Sequence, residues 1–204
     1  MGQPADLDLN ALLNPLPRLF HLSGITLAIS ESSSKTAQII WEACQARGVS
    51  LSFDVNYRAK LWTPNQARAG CEFAMQTASL IFIPERDAMT IYGTSDLSEL
   101  HARYPQATLI MTKGANGASL ITPDGAFFHQ DVFPVETVCR IGGGDAFSAG
   151  YLYGQANHAD AKMCLRYGTV VAALKYTLPG DLPLIDRQQV FDLIKNTATE
   201  SVQR

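Results

Sequence analysis

Short apolar runs alternate with amphipathic segments along this chain, and no other feature restricts its possible folds as much. Apolar runs bounded by turn residues predict strands, and apolar positions three and four apart predict helices. Leu19–Ile25 predicts a strand ending at Gly24, and Val49–Asp54 a second. Between them, Ser32–Arg47 has helical spacing (Ile39, Ile40, Ala43, Cys44) and stops at Gly48, a C-terminal stop signal. Thr63-Pro64 starts a helix to about Ser79, with Thr63 as the cap and Pro64 at the first helical position. Leu80–Ile83 predicts a short buried strand, Arg86–Tyr92 and Asp96–Tyr104 short helices, and Thr108–Thr112 another strand. Gly117–Ile121 and Phe127–Gln130 predict a hairpin around Pro123-Asp124-Gly125. Two long helices, about Gly144–Ala156 and Ala159–Tyr176, follow, and Asp186–Thr199 closes the chain. Such alternation implies an α/β fold with a largely parallel sheet covered by helices. Ligands of such sheets bind at the C-terminal ends of the strands.

Composition narrows the partners. With 204 residues, a net charge of -3 and 47% hydrophobic residues, one domain with a sizeable core is expected. No basic stripe offers itself to nucleic acid, and no apolar run approaches the ~20 residues that span a bilayer. The opening MGQPADLDLN is acidic and polar, unlike a secretory signal, and Asp6 stands where a myristoylation pattern needs Ser or Thr. Cys44, Cys71, Cys139 and Cys164 form no C-x-x-C pair, so they read as reduced thiols of a cytoplasmic protein without a zinc site. The first, second and fourth read as small buried hydrophobes.

The most informative stretch is Val138-Cys139-Arg140-Ile141-Gly142-Gly143-Gly144-Asp145-Ala146-Phe147-Ser148-Ala149-Gly150. Glycines permit a tight turn and let a ligand approach bare N–H groups. A helix starting there adds a positive dipole end, which makes the turn an anion site. Asp145 in its first turn is either a favourable helix-start residue or a carboxylate placed to take a proton from an attacking hydroxyl. Asp54-Val55-Asn56-Tyr57-Arg58 and Lys113-Gly114-Ala115-Asn116-Gly117 each follow a strand end. Two cations, an amide-rich turn and a candidate base are what phosphoryl transfer requires. Each also has a plainer reading: Arg58 as a solvated residue, Lys113 as an ordinary strand-to-turn residue, and Trp41 and Trp62 as core. His21, His101, His129 and His158 lack metal-ligand spacing. The GxxxxGK[ST], GxGxxG and G-x-S-x-G motifs are all missing, which argues against a P-loop kinase, an NAD enzyme and the common serine hydrolase.

These residues resemble a known family. Gly142-Gly143-Gly144-Asp145-Ala146-Phe147 is similar to the second signature of the ribokinase/PfkB carbohydrate kinases. Asp54-Val55-Asn56-Tyr57-Arg58 with Lys60-Leu61-Trp62, Phe20-His21-Leu22-Ser23-Gly24-Ile25-Thr26 and Arg140-Ile141 resemble its 2-keto-3-deoxygluconate kinase branch. The resemblance runs from about Leu19 to about Pro183. It implies a ribokinase-like three-layer α/β/α fold with a mainly parallel sheet, residues 1–204 forming the C-terminal part of a kinase domain. The family's N-terminal strands and β lid, often its dimer interface, have no counterpart here; homo-oligomerisation is left open.

The resemblance implies ATP with Mg2+ as cofactors and a small sugar acid as acceptor. Asp145 matches the catalytic base, and the amides of Gly142, Gly143 and Gly144 match the anion hole. Asn56, Tyr57 and Arg58 match the stretch reaching the nucleotide and substrate, and Lys113, Gly114 and Gly117 the turn at the nucleotide site. Asp181 matches a sugar-acid contact and Ile25 lies at a substrate-side position. No residue is matched to a metal. Cys139 departs from the aspartate usual at the start of the signature, and an N-x-x-E motif falls on Glu85 to Ala88 without either member, leaving Glu85 and Asp87 as stand-ins. Two other readings follow: a nucleotide-binding module without catalysis, and a related kinase for fructose, ribose or a nucleoside.

Overall fold

A computed structural model of the chain describes residues 7–202, with side chains as far as Lys195. Residues 1–6 of the opening stretch read for targeting, Asp6 among them, lie outside the described residues. The strands are β1 (Leu19–Ser23), β2 (Ser50–Asp54), β3 (Leu80–Pro84), β4 (Thr108–Thr112), β5 (Ala118–Ile121) and β6 (Phe127–Gln130). Their order in the sheet is chain order, β1-β2-β3-β4-β5-β6. β1 pairs parallel with β2 (Leu19 opposite Ser50, Ser23 opposite Asp54), and β2 with β3. The helices are α1 (Leu9–Leu12), α2 (Gly24–Ile29), α3 (Glu31–Ala46), α4 (Pro64–Thr77), α5 (Glu85–Tyr92), α6 (Leu97–Arg103), α7 (Gly143–Ala156), α8 (Ala161–Tyr176) and α9 (Arg187–Val202). The chain divides into two compact units: the residues through Met111 with Ile121–Ala126, and Thr112–Leu120 with Phe127 onward.

In the first unit, consecutive strand residues are buried: Leu51 to Asp54, Leu80 to Ile83 and Leu109 to Met111. Burial of successive residues means that both sheet faces are covered, which the continuous apolar runs anticipated. α3 and α4 both pack on β2. Trp41 of α3 is 1% exposed, donates from Nε1 to Thr77 Oγ1 at 2.9 Å, and meets Phe20, Phe53 and Phe73 edge to face. Trp62 is half-buried against the same core. α4 starts as its sequence predicts, with a capping box between Thr63 and Gln66 and Pro64 at the first position.

Several expected boundaries shift by a residue or two. The first strand ends at Ser23, not at Gly24. Ser23 instead caps α2, its Oγ accepting from the Ile25 N–H at 3.4 Å. The cause is Gly24: a Cβ there would lie 2.1 Å from the Val55 carbonyl oxygen, so the bare backbone lets α2 turn in against the end of β2. The helix expected from Ala159 begins at Ala161, because Asp160 accepts the Met163 N–H at 2.7 Å and acts as its cap. The last helix starts at Arg187, after Asp186 accepts the Gln189 N–H at 2.8 Å.

In the second unit α7 lies along α8, with Gly150 packed on the Tyr167 carbonyl. Phe133, Val170, Ala173 and Val190 form its apolar centre. Cys44, Cys71 and Cys164 are buried, whereas Cys139 is half-buried.

Burial pushes the Cys71 thiol up from 9.0 to about 12 and the Cys164 thiol up to about 11. Below about pH 9 both folded and unfolded chains hold these protons, and the favourable burial is intact. Above it the unfolded chain releases protons that the folded chain retains, so stability declines as the pH rises toward 11–12. Thermal unfolding from pH 7 to 11 is expected to show a melting temperature falling above pH 9, with a shallower fall in Cys71→Ala.

Candidate active site

The site residues of the first unit hang on the end of β2. Asp54 is buried, and its Oδ1 accepts the N–H of Asn56 at 3.1 Å. Asn56 has φ 39°, in the left-handed region that residues with a Cβ seldom occupy. Asparagine tolerates it better than most, and two carboxylates hold it there. Asp54 grips one side of the residue; on the other, the Tyr57 N–H donates to Asp87 Oδ2 at 3.1 Å. Asp87 is 1% exposed and also accepts from Arg86 Nε at 3.2 Å. The side chain of Tyr57 turns into the core, its hydroxyl donating to the Trp62 carbonyl at 3.1 Å. Arg58 is exposed, with Nη1 donating to the Tyr57 carbonyl at 3.2 Å. Ile25 sits half-buried in the first turn of α2.

The second unit carries the two glycine turns. After β4, Gly114–Asn116 makes a 3-10 turn closed by the Lys113 N–H on the Gly117 carbonyl (2.8 Å) and the Asn116 N–H on the Lys113 carbonyl (3.0 Å). Lys113 is half-buried beside it.

The second turn is Arg140–Asp145. Gly142 takes φ 76° as the N-cap of α7, and no side chain caps this helix start. The Ala146 N–H closes on the Gly142 carbonyl at 2.9 Å, and the amides before it have no partner within the helix. The Gly143 N–H makes a long contact of 3.4 Å to the Arg140 carbonyl. A Cβ on Gly142 would come within 2.6 Å of the Asp181 carbonyl oxygen, and one on Gly143 within 2.3 Å of the Tyr176 ring. Around Gly144 the space is open. Asp145, in the first turn of α7, is exposed. A glycine-lined helix start with an open face suits an anion, and a carboxylate beside it suits proton transfer.

Sequence reading brought Asp181 near this site as a sugar contact; its backbone is what rests on Gly142. That reading missed Tyr176, whose carbonyl accepts the N–H groups of Val138 at 2.7 Å and Cys139 at 3.1 Å. It also named Asp87 only as a stand-in, where the structure gives it a backbone-holding bond. A buried-face acidic residue three past Pro84 was a signal for the second, but nothing local marks Tyr176.

Comparison with known proteins adds the following. Residues 3–186 match the model of the family described as pfkB family carbohydrate kinase. A 2-dehydro-3-deoxygalactonokinase of Haloferax volcanii is 34% identical over 84% of this chain and 55% of its own length. A fructokinase of Klebsiella pneumoniae is 34% identical over 68% of this chain and 46% of its own. An E.coli protein described as a ribokinase II, solved in complex with ATP and Mg2+, superposes with a TM-score of 0.84 at 23% identity, covering 95% of this chain and 63% of that one. The chain thus spans about half the length of these curated relatives, and the fold is ribokinase-like.

The geometry separates the three glycines. Gly142→Ala strains a left-handed φ at about 1–2 kcal/mol and drives a methyl into the Asp181 backbone. Gly144→Ala meets open space. Thermal unfolding should show Gly142→Ala melting lower by about 4 °C or more, given about 2–4 °C per kcal/mol for a chain of this size, and Gly144→Ala melting near the parent.

Proposed function

This chain belongs to the pfkB family of carbohydrate kinases, and from that premise we propose that it carries the phosphate end of an ATP-dependent kinase for a small sugar acid such as 2-keto-3-deoxygluconate. The observation that carries the reading is the uncapped start of α7, where glycine backbone, an open face and Asp145 come together. We take residues 1–204 as the C-terminal part of one kinase domain.

In this reading ATP supplies the phosphoryl group. Asp145 takes the proton of the acceptor hydroxyl as its oxygen forms the new bond to the γ-phosphorus, while the bond from that phosphorus to the bridging oxygen breaks and ADP leaves. The backbone at Gly142, Gly143 and Gly144 faces the charge that spreads over the transferring phosphate, and the positive end of α7 adds to it. Lys113, with the turn Gly114–Gly117, and Asn56 with its neighbour Tyr57 belong to the nucleotide side. Arg58, Asp181 and Ile25 belong to the acceptor side, Arg58 offering a cation to a carboxylate. Mg2+ is commonly held by phosphates with one or two carboxylates and waters, so it needs no protein cage. The relative from Haloferax volcanii supports a keto-deoxy sugar acid. The four unpaired cysteines suit a reducing, cytoplasmic setting; no helix among the described residues is long and apolar enough to cross a membrane.

Two observations support other readings. The fructokinase relative supports a neutral sugar as acceptor. The share of its relatives that the chain spans supports a nucleotide-binding module without turnover. Asp145→Asn separates these. Sugar-dependent ADP release that vanishes in the variant while ATP binding persists, read by coupled assay and titration calorimetry, supports the kinase. Unchanged release in the variant overturns the role of Asp145, and ATP binding with no release in either protein supports the module. Arg58→Ala is expected to raise KM for the sugar acid about tenfold or more, a loss of roughly 1.4 kcal/mol, with little change for fructose.

A further inference from the structure

Lys175 lies in the last turn of α8, after Val170, Ala172 and Ala173, and is 0% exposed. A buried ammonium is unfavourable unless something answers its charge. Here the answer is the carboxyl end of the helix, whose dipole favours a cation, and the Leu178 carbonyl, to which Nζ donates at 3.3 Å. Closing the helix does not call for a lysine. The Thr177 N–H and Oγ1 already donate to the Leu174 carbonyl, at 3.1 and 2.7 Å, and the Leu178 N–H to the Lys175 carbonyl at 3.1 Å. An apolar side chain of similar length would fill the space without the desolvation cost.

The carbonyl that the ammonium meets lies in the segment between two residues, Tyr176 and Asp181, that pack on the glycine turn. Tyr176 receives Val138 and Cys139 on its carbonyl and lays its ring against Gly143. Leu178 leads into the short run to Asp181, whose carbonyl rests on Gly142. Residues 176–181 are therefore the floor on which Gly142 and Gly143 lie, and one internal cation is tied to that floor. Resting on the kinase reading above, we propose that Lys175 is a positioning residue for the phosphate site: its bond to the Leu178 carbonyl fixes the 176–181 floor that shapes the glycine turn.

The test uses the full chain with ATP as the probe. Lys175→Met is expected to keep or raise the melting temperature while ATP affinity falls about tenfold, near 1.4 kcal/mol. Lys175→Arg, which retains the charge, is expected to recover most of that loss. A Lys175→Met protein that folds and binds ATP as tightly as the parent overturns the proposal. A measurement on the unmutated chain decides the matter if the variant does not fold. The Lys175 ammonium signal, read by proton–nitrogen NMR, should shift on saturation with ATP, and a signal unmoved at saturation overturns the proposal. Failure of the unmutated chain to bind ATP at all is a different result, since it removes the kinase reading itself and the proposal with it.

Discussion

The contact on which the second unit depends is made by bare glycine backbone: the carbonyl of Asp181 and the ring of Tyr176 occupy the space that side chains at 142 and 143 would need. Glycine at both positions is thus a packing requirement before it is a ligand requirement. With glycine as its N-cap, α7 starts without a side-chain cap, and the Gly143 N–H makes only a long 3.4 Å contact to the Arg140 carbonyl. A glycine-lined helix start follows from a steric fact. Lys175 stands in the last turn of α8, where the helix dipole favours a cation.

The first unit solves a related problem differently. Its loop after β2 holds Asn56 in a left-handed conformation without glycine, and two buried carboxylates supply the restraint. Asp54 belongs to the strand that precedes the loop, and Asp87 to α5 beyond the next strand. A loop fixed by partners from separate elements is set by the sheet and not by its own sequence. Its exposed tip at Arg58 can then be presented in one orientation.

Periodicity made the strands and most helices legible, because buried parallel strands and capped helices write their signals locally. Thr63 with Pro64 marks α4 as plainly in the sequence as in the structure. Gly24 was legible as an end of something, yet its meaning required knowing that Val55 would be opposite, which only the fold supplies. The same holds for the site. The glycines and Asp145 stand together in the chain, so they could be read from it as a candidate site. Tyr176 packs on Gly143 from the end of another helix, and Asp87 acts through a backbone N–H thirty residues away. Such contacts leave no mark on local pattern.

One detail of the floor beneath the glycine turn bears on how such a site can diverge. Asp181 supports Gly142 through its main-chain carbonyl, and its side chain is exposed. Every residue type carries that carbonyl. Replacement at 181 can therefore change the side chain presented beside the glycine turn while leaving the backbone support of Gly142 untouched; on the reading proposed above, selectivity and reaction chemistry are free to drift apart at this position.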